Sequence, residues 1–233
     1  MPYFYGIDIT YFIFIIPALI FGLWAQISVK SAFSKYSRVS TVRGITGAEA
    51  AKLILEQNGI YDVTIRHISG SLTDNFNPRE KTINLSDEVY NSTSVAAIGV
   101  AAHETGHALQ DADAYAPLQL RTACVRTAGI GSQAAWPLFL AGLIFNFRPL
   151  VLIGIALYAA MVVFTLVTLP VELNASHRAL TLLENGGYLT SDEMPGARSV
   201  LSAAALTYVA SALMAVLQLL RLIAIAGNRR RRD

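Results

Sequence analysis

Two histidines and a glutamate, spaced for zinc chemistry, lie near the middle of the chain. His103 and His107 are four residues apart in the run His-Glu-Thr-Gly-His. Residues four apart share one face of an α-helix, so both imidazoles can bind one ion. Glu104 lies about 100° around the helix from His103, where its carboxylate can act as a base without binding the metal. This spacing is the H-E-x-x-H pattern of zinc-dependent peptide hydrolases, and it predicts hydrolysis of peptide bonds.

A third ligand is expected further along the chain, because a catalytic zinc usually has three protein ligands and one open position. Glu172 follows a long apolar run directly, at the start of Glu-Leu-Asn-Ala-Ser. A carboxylate there completes a His-His-Glu set, so we predict that Glu172 binds the metal. The alternative is an acid at the membrane interface that caps a helix beginning after Pro170. Asp111 and Asp113 are interpreted as a solvated helix end and not as ligands.

The other two histidines are not expected to bind the metal. His67 lies in an alternating segment typical of a β-strand. His177 is five residues after Glu172, about 140° around a helix, so its side chain should point away from the zinc. Three side chains could stabilise an oxyanion, and the sequence does not choose among them: Arg178, Tyr115 and Tyr208.

Composition indicates a protein that is partly embedded in a membrane. Hydrophobic residues make up 54% of the 233 residues and charged residues only 15%, whereas about 25% is usual in soluble domains. The shortage of charge is concentrated in residues 10–28, 128–147, 150–169 and 199–227. The net charge of +2 is too small to indicate binding to nucleic acid. The single cysteine, Cys124, excludes an internal disulfide.

Three of these stretches predict membrane-spanning helices. Residues 11–29 are about long enough to cross the bilayer core, and we interpret them as a retained anchor rather than a cleaved signal peptide. Residues 128–147 and 150–169 are separated only by Arg148-Pro149, so they predict a transmembrane hairpin. The segments before and after the hairpin should therefore face one compartment.

Positive charges predict which compartment this is. The first span is followed by four basic residues, Lys30, Lys35, Arg38 and Arg43. By the positive-inside rule, this side faces the cytoplasm. A fourth crossing by residues 199–226 would place the basic tail, residues 229–232, on the outer side. Hydropathy favours that crossing and the tail argues against it, so both alternatives stay open. We expect a multi-pass protein of the cell membrane with a cytoplasmic catalytic region.

Capping signals mark two helices in the region between the first span and the hairpin. Thr46 and Glu49 have the spacing of a capping box, which predicts a helix over 48–57. Residues 91–94 offer several N-caps for the motif helix. The apolar residues of the motif helix predict one buried stripe along it.

A small sheet should precede the motif helix. Alternation predicts strands at 61–67 and 81–85 and a weaker strand near Leu72, while residues 74–78 carry turn signals. In zinc peptidases, the substrate backbone often pairs with a free strand edge beside the active-site helix. Residues 82–85 could be that edge or an ordinary structural strand.

Longer runs of the sequence resemble a known family. The motifs His103-Glu-Thr-Gly-His107 and Glu172-Leu-Asn-Ala-Ser176 are similar to those of the HtpX-type membrane zinc endopeptidases, whose second motif is E-x-x-A-D. The whole chain resembles the YugP-like membrane zinc metallopeptidases more closely. The stretches that carry this resemblance are Gly47-Ala-Glu, Leu72-Thr-Asp, Ser94-Val-Ala-Ala-Ile-Gly-Val-Ala-Ala-His-Glu, Leu169-Pro-Val-Glu and Ala204-Ala-Leu-Thr-Tyr-Val.

The resemblance implies a zincin-like fold with one catalytic zinc ion. It implies His103, His107 and Glu172 as the zinc ligands, and Glu104 as the catalytic base. Ser176 stands where the HtpX-type motif has an aspartate that should orient a motif histidine. The hydrogen-bond partners of the ligands are therefore unassigned at this point.

We therefore predict a mainly α-helical protein with a small β-sheet, in which a zincin-like metallopeptidase domain is built on a multi-span transmembrane helical anchor. It should be an endopeptidase that uses a zinc-activated water on membrane or misfolded proteins, with a protein or peptide substrate and the lipid bilayer as partners. The alternative is a non-proteolytic membrane protein that uses the metal site for structure or partner binding. A transporter is disfavoured because the spans carry almost no charge.

The sequence also predicts how the chain is divided. The expected segments are an anchor at 1–29, a catalytic region at 30–127, a hairpin at 128–169, a third-ligand helix and loop at 170–198, and a hydrophobic helix with a basic tail at 199–233.

Overall fold

The computed structural model describes residues 3–4, 7–8 and 10–229, and most of them are helical. A short β-pair, β1 (Tyr3–Phe4) and β2 (Ile7–Asp8), precedes a π-helical turn at Tyr11–Ile15. The helices are α1 (Ile16–Tyr36), α2 (Gly47–Gln57), α3 (Asp87–Tyr90), α4 (Val95–Ala112), α5 (Ala116–Ile144), α6 (Arg148–Asn185) and α7 (Met194–Arg229). Three further strands are β3 (Thr64–His67), β4 (Asn75–Asn77) and β5 (Thr82–Leu85). The prediction of a mainly helical chain with a small sheet is confirmed.

The chain divides into two compact units. The first unit draws on Met1–Trp24, Leu120–Leu169 and Tyr208–Asp233, and the second on Ala25–Gln119 and Pro170–Thr207. All residues of the predicted metal site belong to the second unit.

The sheet of the second unit corrects two predictions about its strands. Its strand order is β3-β5-β4, with β5 parallel to β3 and antiparallel to β4. β5 is therefore the central strand, and the prediction that Thr82–Leu85 could be a free edge is wrong. The predicted strand near Leu72 is also wrong, because Leu72 has a φ of +55° and lies in a turn. The strand forms instead at Asn75–Asn77, where turn signals dominated the sequence.

Helices α2 and α4 pack together in the core of the second unit. The capping box at Thr46 and Glu49 is present, with each side chain bonded to the other residue's backbone N–H. Ala50 and Ile54 of α2 lie in one buried cluster with Ile98 of α4. A second buried cluster joins the sheet to α4 through Ile83 and Leu85. Burial of this apolar surface from both sides fixes α4 in place.

The first unit is a bundle of long apolar helix segments. α5 ends at Ile144 and α6 begins at Arg148, so Arg148 and Pro149 form the first turn of α6 rather than the connection between the helices. Proline is tolerated in a first helical turn because its missing N–H has no partner there in any helix. α6 then continues through Pro170 to Asn185. No helix begins at Pro170, because α6 runs through it, so the alternative role of Glu172 as the cap of such a helix is wrong.

Three described helices are long and apolar enough to cross a membrane. They cover Tyr11–Tyr36, Arg148–Asn185 and Met194–Gly227, and the bent pair Ala116–Val125 and Ala128–Ile144 is a fourth candidate if counted as one span. This finding agrees with membrane association. Residues 230–232 of the predicted basic tail lie outside the described residues.

Candidate metal centre

Helix α4 presents both motif histidines on one face, as their spacing predicts. Ser94 begins the helix by accepting a hydrogen bond from the N–H of Ala97 through its side chain. The rings of His103 and His107 lie edge to face, with their centroids 4.8 Å apart. His107 is buried and His103 is nearly so, because the apolar stripe of α4 is covered on several sides.

Helix α6 brings Glu172 directly to this pair. Its Oε2 atom lies 3.3 Å from Nε2 of His103 and 3.4 Å from Nε2 of His107. Close packing of α4 against α6 makes this approach possible. A Cβ atom on Gly106 would lie only 2.7 Å from the backbone oxygen of Ala175, so glycine is required at this point of α4.

The three side chains fit a single zinc ion. Their ligand atoms all lie within 4.8 Å of one another. Two ligand atoms at zinc–ligand distances of about 2.0–2.1 Å and a tetrahedral angle are about 3.4 Å apart, close to the two distances from Glu172. Two imidazoles and a carboxylate are also a donor set found in catalytic zinc sites. The structure therefore brings together the predicted ligands His103, His107 and Glu172 in an arrangement that can hold zinc.

Protonation of His107 is coupled to metal binding. Burial acts to lower the pKa of His107, but its hydrogen bond to Glu172 and the nearby Glu104 carboxylate together raise that pKa above its ordinary value. An imidazole must lose the proton from the binding nitrogen before it can bind zinc. Metal binding should therefore release a proton from this cluster.

Glu104 lies beside the group of three ligands and is not part of it. Its side chain is almost fully buried. Burial raises the pKa of Glu104, and the charges of Glu172 and Asp74 act in the same direction, while His103 and His107 oppose them. A carboxylate whose proton affinity is raised in this way is a stronger base than an exposed glutamate, which suits it to take and return a proton.

Each motif histidine has a hydrogen-bond partner at its other ring nitrogen. Nδ1 of His103 lies 3.1 Å from Oγ of Ser176, and Nδ1 of His107 lies 3.0 Å from Oε1 of Gln110. Ser176 therefore touches the ring that the missing aspartate was expected to orient. Gln110 was not singled out in the sequence, although its position three residues after His107 places it on the same helix face.

The other histidines are used elsewhere. Nε2 of His67 lies 2.7 Å from a carboxylate oxygen of Asp87, next to β3. His177 is exposed. Within the described residues, the group that could hold a metal ion contains neither of them.

The two acids at the end of α4 form ion pairs rather than a simple solvated end. Asp111 pairs with Lys81 at 2.7 Å, and Asp113 pairs with Arg178 at 2.5 Å. The guanidinium of Arg178 also lies over the ring of Tyr115. Arg178 is therefore held by these contacts and is a poor candidate for binding an oxyanion.

Comparisons with known proteins agree with the chemistry of this site. A family model described as "Putative neutral zinc metallopeptidase" matches residues 11–227. A curated relative from Bacillus subtilis (strain 168), "Putative membrane protease YugP", is 46% identical over 220 residues, which cover 94% of this chain and 98% of the relative. No solved structure matches. Because the family model spans almost the whole chain, including all three candidate metal ligands, this protein belongs to the family described as "Putative neutral zinc metallopeptidase".

Proposed function

We propose that this protein is a membrane-embedded zinc endopeptidase. The observation that carries the proposal is the buried His103–His107–Glu172 cluster with Glu104 beside it. A structural zinc site is normally closed by four protein ligands, whereas this cluster offers three. An acid that does not bind the metal has no function in a structural site. This pattern favours catalysis over the alternative of a non-proteolytic metal protein.

The residues of the site would divide the reaction between them. His103, His107 and Glu172 would hold zinc, which when bound polarises a carbonyl and lowers the pKa of water. Glu104 would take a proton from the water that attacks the peptide carbon. It would then return that proton to the leaving nitrogen as the C–N bond breaks. Acid–base assistance of this kind contributes about 10²–10⁴ in rate.

Strand β4 is the best candidate for binding an extended substrate. It forms one edge of the described three-stranded sheet and contacts α4, which carries the motif. An extended peptide could add to that edge as a further strand, with main-chain hydrogen bonds that do not depend on sequence. The substrate would therefore pair with Asn75–Asn77 and not with Thr82–Leu85.

The proposed active site lies at the cytoplasmic side of a membrane. The apolar helices support a multi-pass protein. The basic residues after the first span predict that its catalytic residues face the cytoplasm. Glu172 follows the most apolar part of α6 directly, which would place the site close to the membrane surface. This location favours membrane or misfolded proteins as substrates.

Glu104→Gln tests the catalytic proposal. Glutamine keeps the shape of the side chain but cannot take the proton, so casein cleavage should fall about 10²–10⁴-fold while zinc stays bound. The matched control is Glu184→Gln, an exposed change on α6 that should leave both measurements unchanged. If zinc-loaded Glu104→Gln cleaved casein at the rate of the parent protein, the mechanism would be wrong. If the parent bound zinc but cleaved nothing, the non-proteolytic alternative would gain.

A further inference from the structure

A chain of hydrogen bonds leads from the metal site to the protein surface. Oε1 of Gln110 contacts Nδ1 of His107, while Nε2 of Gln110 donates to the backbone oxygen of Val171 at 2.8 Å and to Oδ1 of Asn174 at 2.9 Å. Gln110 is fully buried. It is thus the buried link between the motif helix α4 and the ligand helix α6.

Further along the chain, Asn174 is held by Arg178. Nε of Arg178 donates to the same Oδ1 atom of Asn174 at 2.9 Å, and Nη1 of Arg178 donates to Asp113. A guanidinium has only donors and stays protonated in proteins. Oδ1 is therefore the acceptor end of Asn174, and the amide orientation of Asn174 is fixed.

The direction of each bond then follows from donors and acceptors alone. The Val171 carbonyl can only accept, and Oδ1 of Asn174 also accepts, so the amide NH₂ of Gln110 must face both. A flipped Gln110 would place its oxygen against two acceptors. The oxygen of Gln110 therefore faces His107, and it can bond only to an N–H at Nδ1.

We infer that Gln110 is a positioning residue that fixes His107 as the Nδ1–H tautomer and so leaves its Nε2 lone pair free for the metal. This inference rests on the proposed zinc site, and it does not depend on which peptide is cleaved. Ser176 cannot do the same for His103, because a hydroxyl can both donate and accept. The two imidazoles are therefore oriented by different means, and only that of His107 has its tautomer fixed.

Gln110→Met is the main test. Methionine has a similar length but no hydrogen-bonding amide, so the zinc dissociation constant from chelator competition should rise about 10–100-fold. Gln110→Glu distinguishes the effect of losing the hydrogen bond to His107 from the effect of disturbed packing around residue 110. Its carboxylate can still accept from Nδ1, so zinc affinity should stay near that of the parent, while an oxygen facing Val171 should lower the thermal stability of the metal-free protein. Gln218→Met, a change of another buried glutamine in the first unit, should leave zinc affinity unchanged.

The tautomer can also be measured directly by NMR, without changing Gln110. With only four histidines, selective ¹⁵N-histidine labelling gives a readable spectrum. In metal-free Glu172→Ala protein, where no Glu172 carboxylate faces Nε2 of His107, the signals of the neutral His107 ring at alkaline pH should show a proton on Nδ1 and none on Nε2. His107→Asn assigns these signals by removing them, and this measurement remains available if Gln110→Met does not fold.

A proton found on Nε2 of neutral His107 in metal-free Glu172→Ala protein would overturn the inference. So would parent-like zinc affinity in Gln110→Met, or equal losses of affinity in Gln110→Met and Gln110→Glu. The proposed peptidase fails on other grounds, namely unchanged casein cleavage by Glu104→Gln. The two failures can therefore be told apart.

Discussion

Replacing Gly106 by alanine should open the metal centre without changing any of its polar groups. The added Cβ would lie 2.7 Å from the backbone oxygen of Ala175, about 0.7 Å short of the ordinary contact distance that begins at 3.4 Å. Because the atom it meets belongs to a helix backbone, α4 and α6 must move apart. A metal site tolerates ligand displacements of about 0.2 Å, so a shift of this size should lower zinc affinity at least about tenfold.

Gly99 provides a matched control in the same helix. A Cβ there would lie 3.5 Å from that of Ala197, which is an ordinary contact. Both substitutions gain about 1 kcal/mol of helix propensity, because alanine loses less backbone entropy than glycine. The difference in the free energy of unfolding between the two variants therefore isolates the overpacking at Gly106, which should cost about 1–3 kcal/mol.

The assay combines thermal unfolding of the metal-free protein in detergent with zinc titration against a competing chelator. Gly99→Ala should be as stable as the parent or more stable, and it should keep its zinc affinity. Gly106→Ala should be less stable than Gly99→Ala and bind zinc more weakly. Equal stability and equal zinc affinity in the two variants would refute the argument that close packing at Gly106 sets the position of Glu172.

Three further changes test the surroundings of the site. Ser176→Ala removes the partner of His103 Nδ1, so zinc affinity should fall about 10–100-fold; unchanged affinity in chelator competition would exclude an orienting role for the hydroxyl. Thr46→Ala removes the cap of α2 and should lower the free energy of unfolding by about 1 kcal/mol, measured by denaturant titration. Burial raises the pKa of Asp74 above its ordinary 3.8 despite hydrogen bonds from Ser86, so the folded state loses stability as pH rises through that pKa. Asp74→Asn should therefore be at least as stable as the parent at neutral pH and lose this advantage below about 3.8; a less stable variant at neutral pH would contradict the sign.

Local signals in the sequence predicted most helices but misplaced parts of the sheet. The capping box at Thr46 and the cap at Ser94 act through bonds within a few residues, so they can be read from the sequence. Strand β4 could not be found in this way. Its Asn-Phe-Asn sequence carries turn signals, and it becomes a strand because Phe76 pairs with Ile83 of β5. Tertiary pairing of this kind overrides local preference.

The helix boundary expected near Pro170 failed for a related reason. The apolar run ends there and proline commonly breaks helices, yet α6 continues to Asn185. A helix can pass through a proline when its other residues are held by packing, and Val171, Ala175 and Ala179 beyond Pro170 are fully buried. The sequence shows the proline but not the packing that outweighs it.

The residues that could bind metal were predictable because zinc restricts their chemistry. Spacing alone picked out His103 and His107, and the need for a third ligand pointed to Glu172 across 65 residues. Neither residue type nor spacing identifies Gln110 and Asn174 in the sequence, because a neutral amide is not a zinc ligand and serves many roles. Their function emerges only when Val171 and Arg178 are placed beside them, since these groups fix which end of each amide accepts.

Two independent constraints therefore act on the same ligand set. Contact between Gly106 and Ala175 determines how near Glu172 comes to the histidines, and the bonds through Gln110 determine which nitrogen of His107 carries the proton. The first constraint depends on shape and the second on the direction of hydrogen bonds, so neither can replace the other. A variant with correct spacing but the wrong tautomer would present an N–H to the metal, and one with the correct tautomer but separated helices would lack the carboxylate. Both constraints run between α4 and α6, so the pairing of these two helices determines whether the chain can bind zinc.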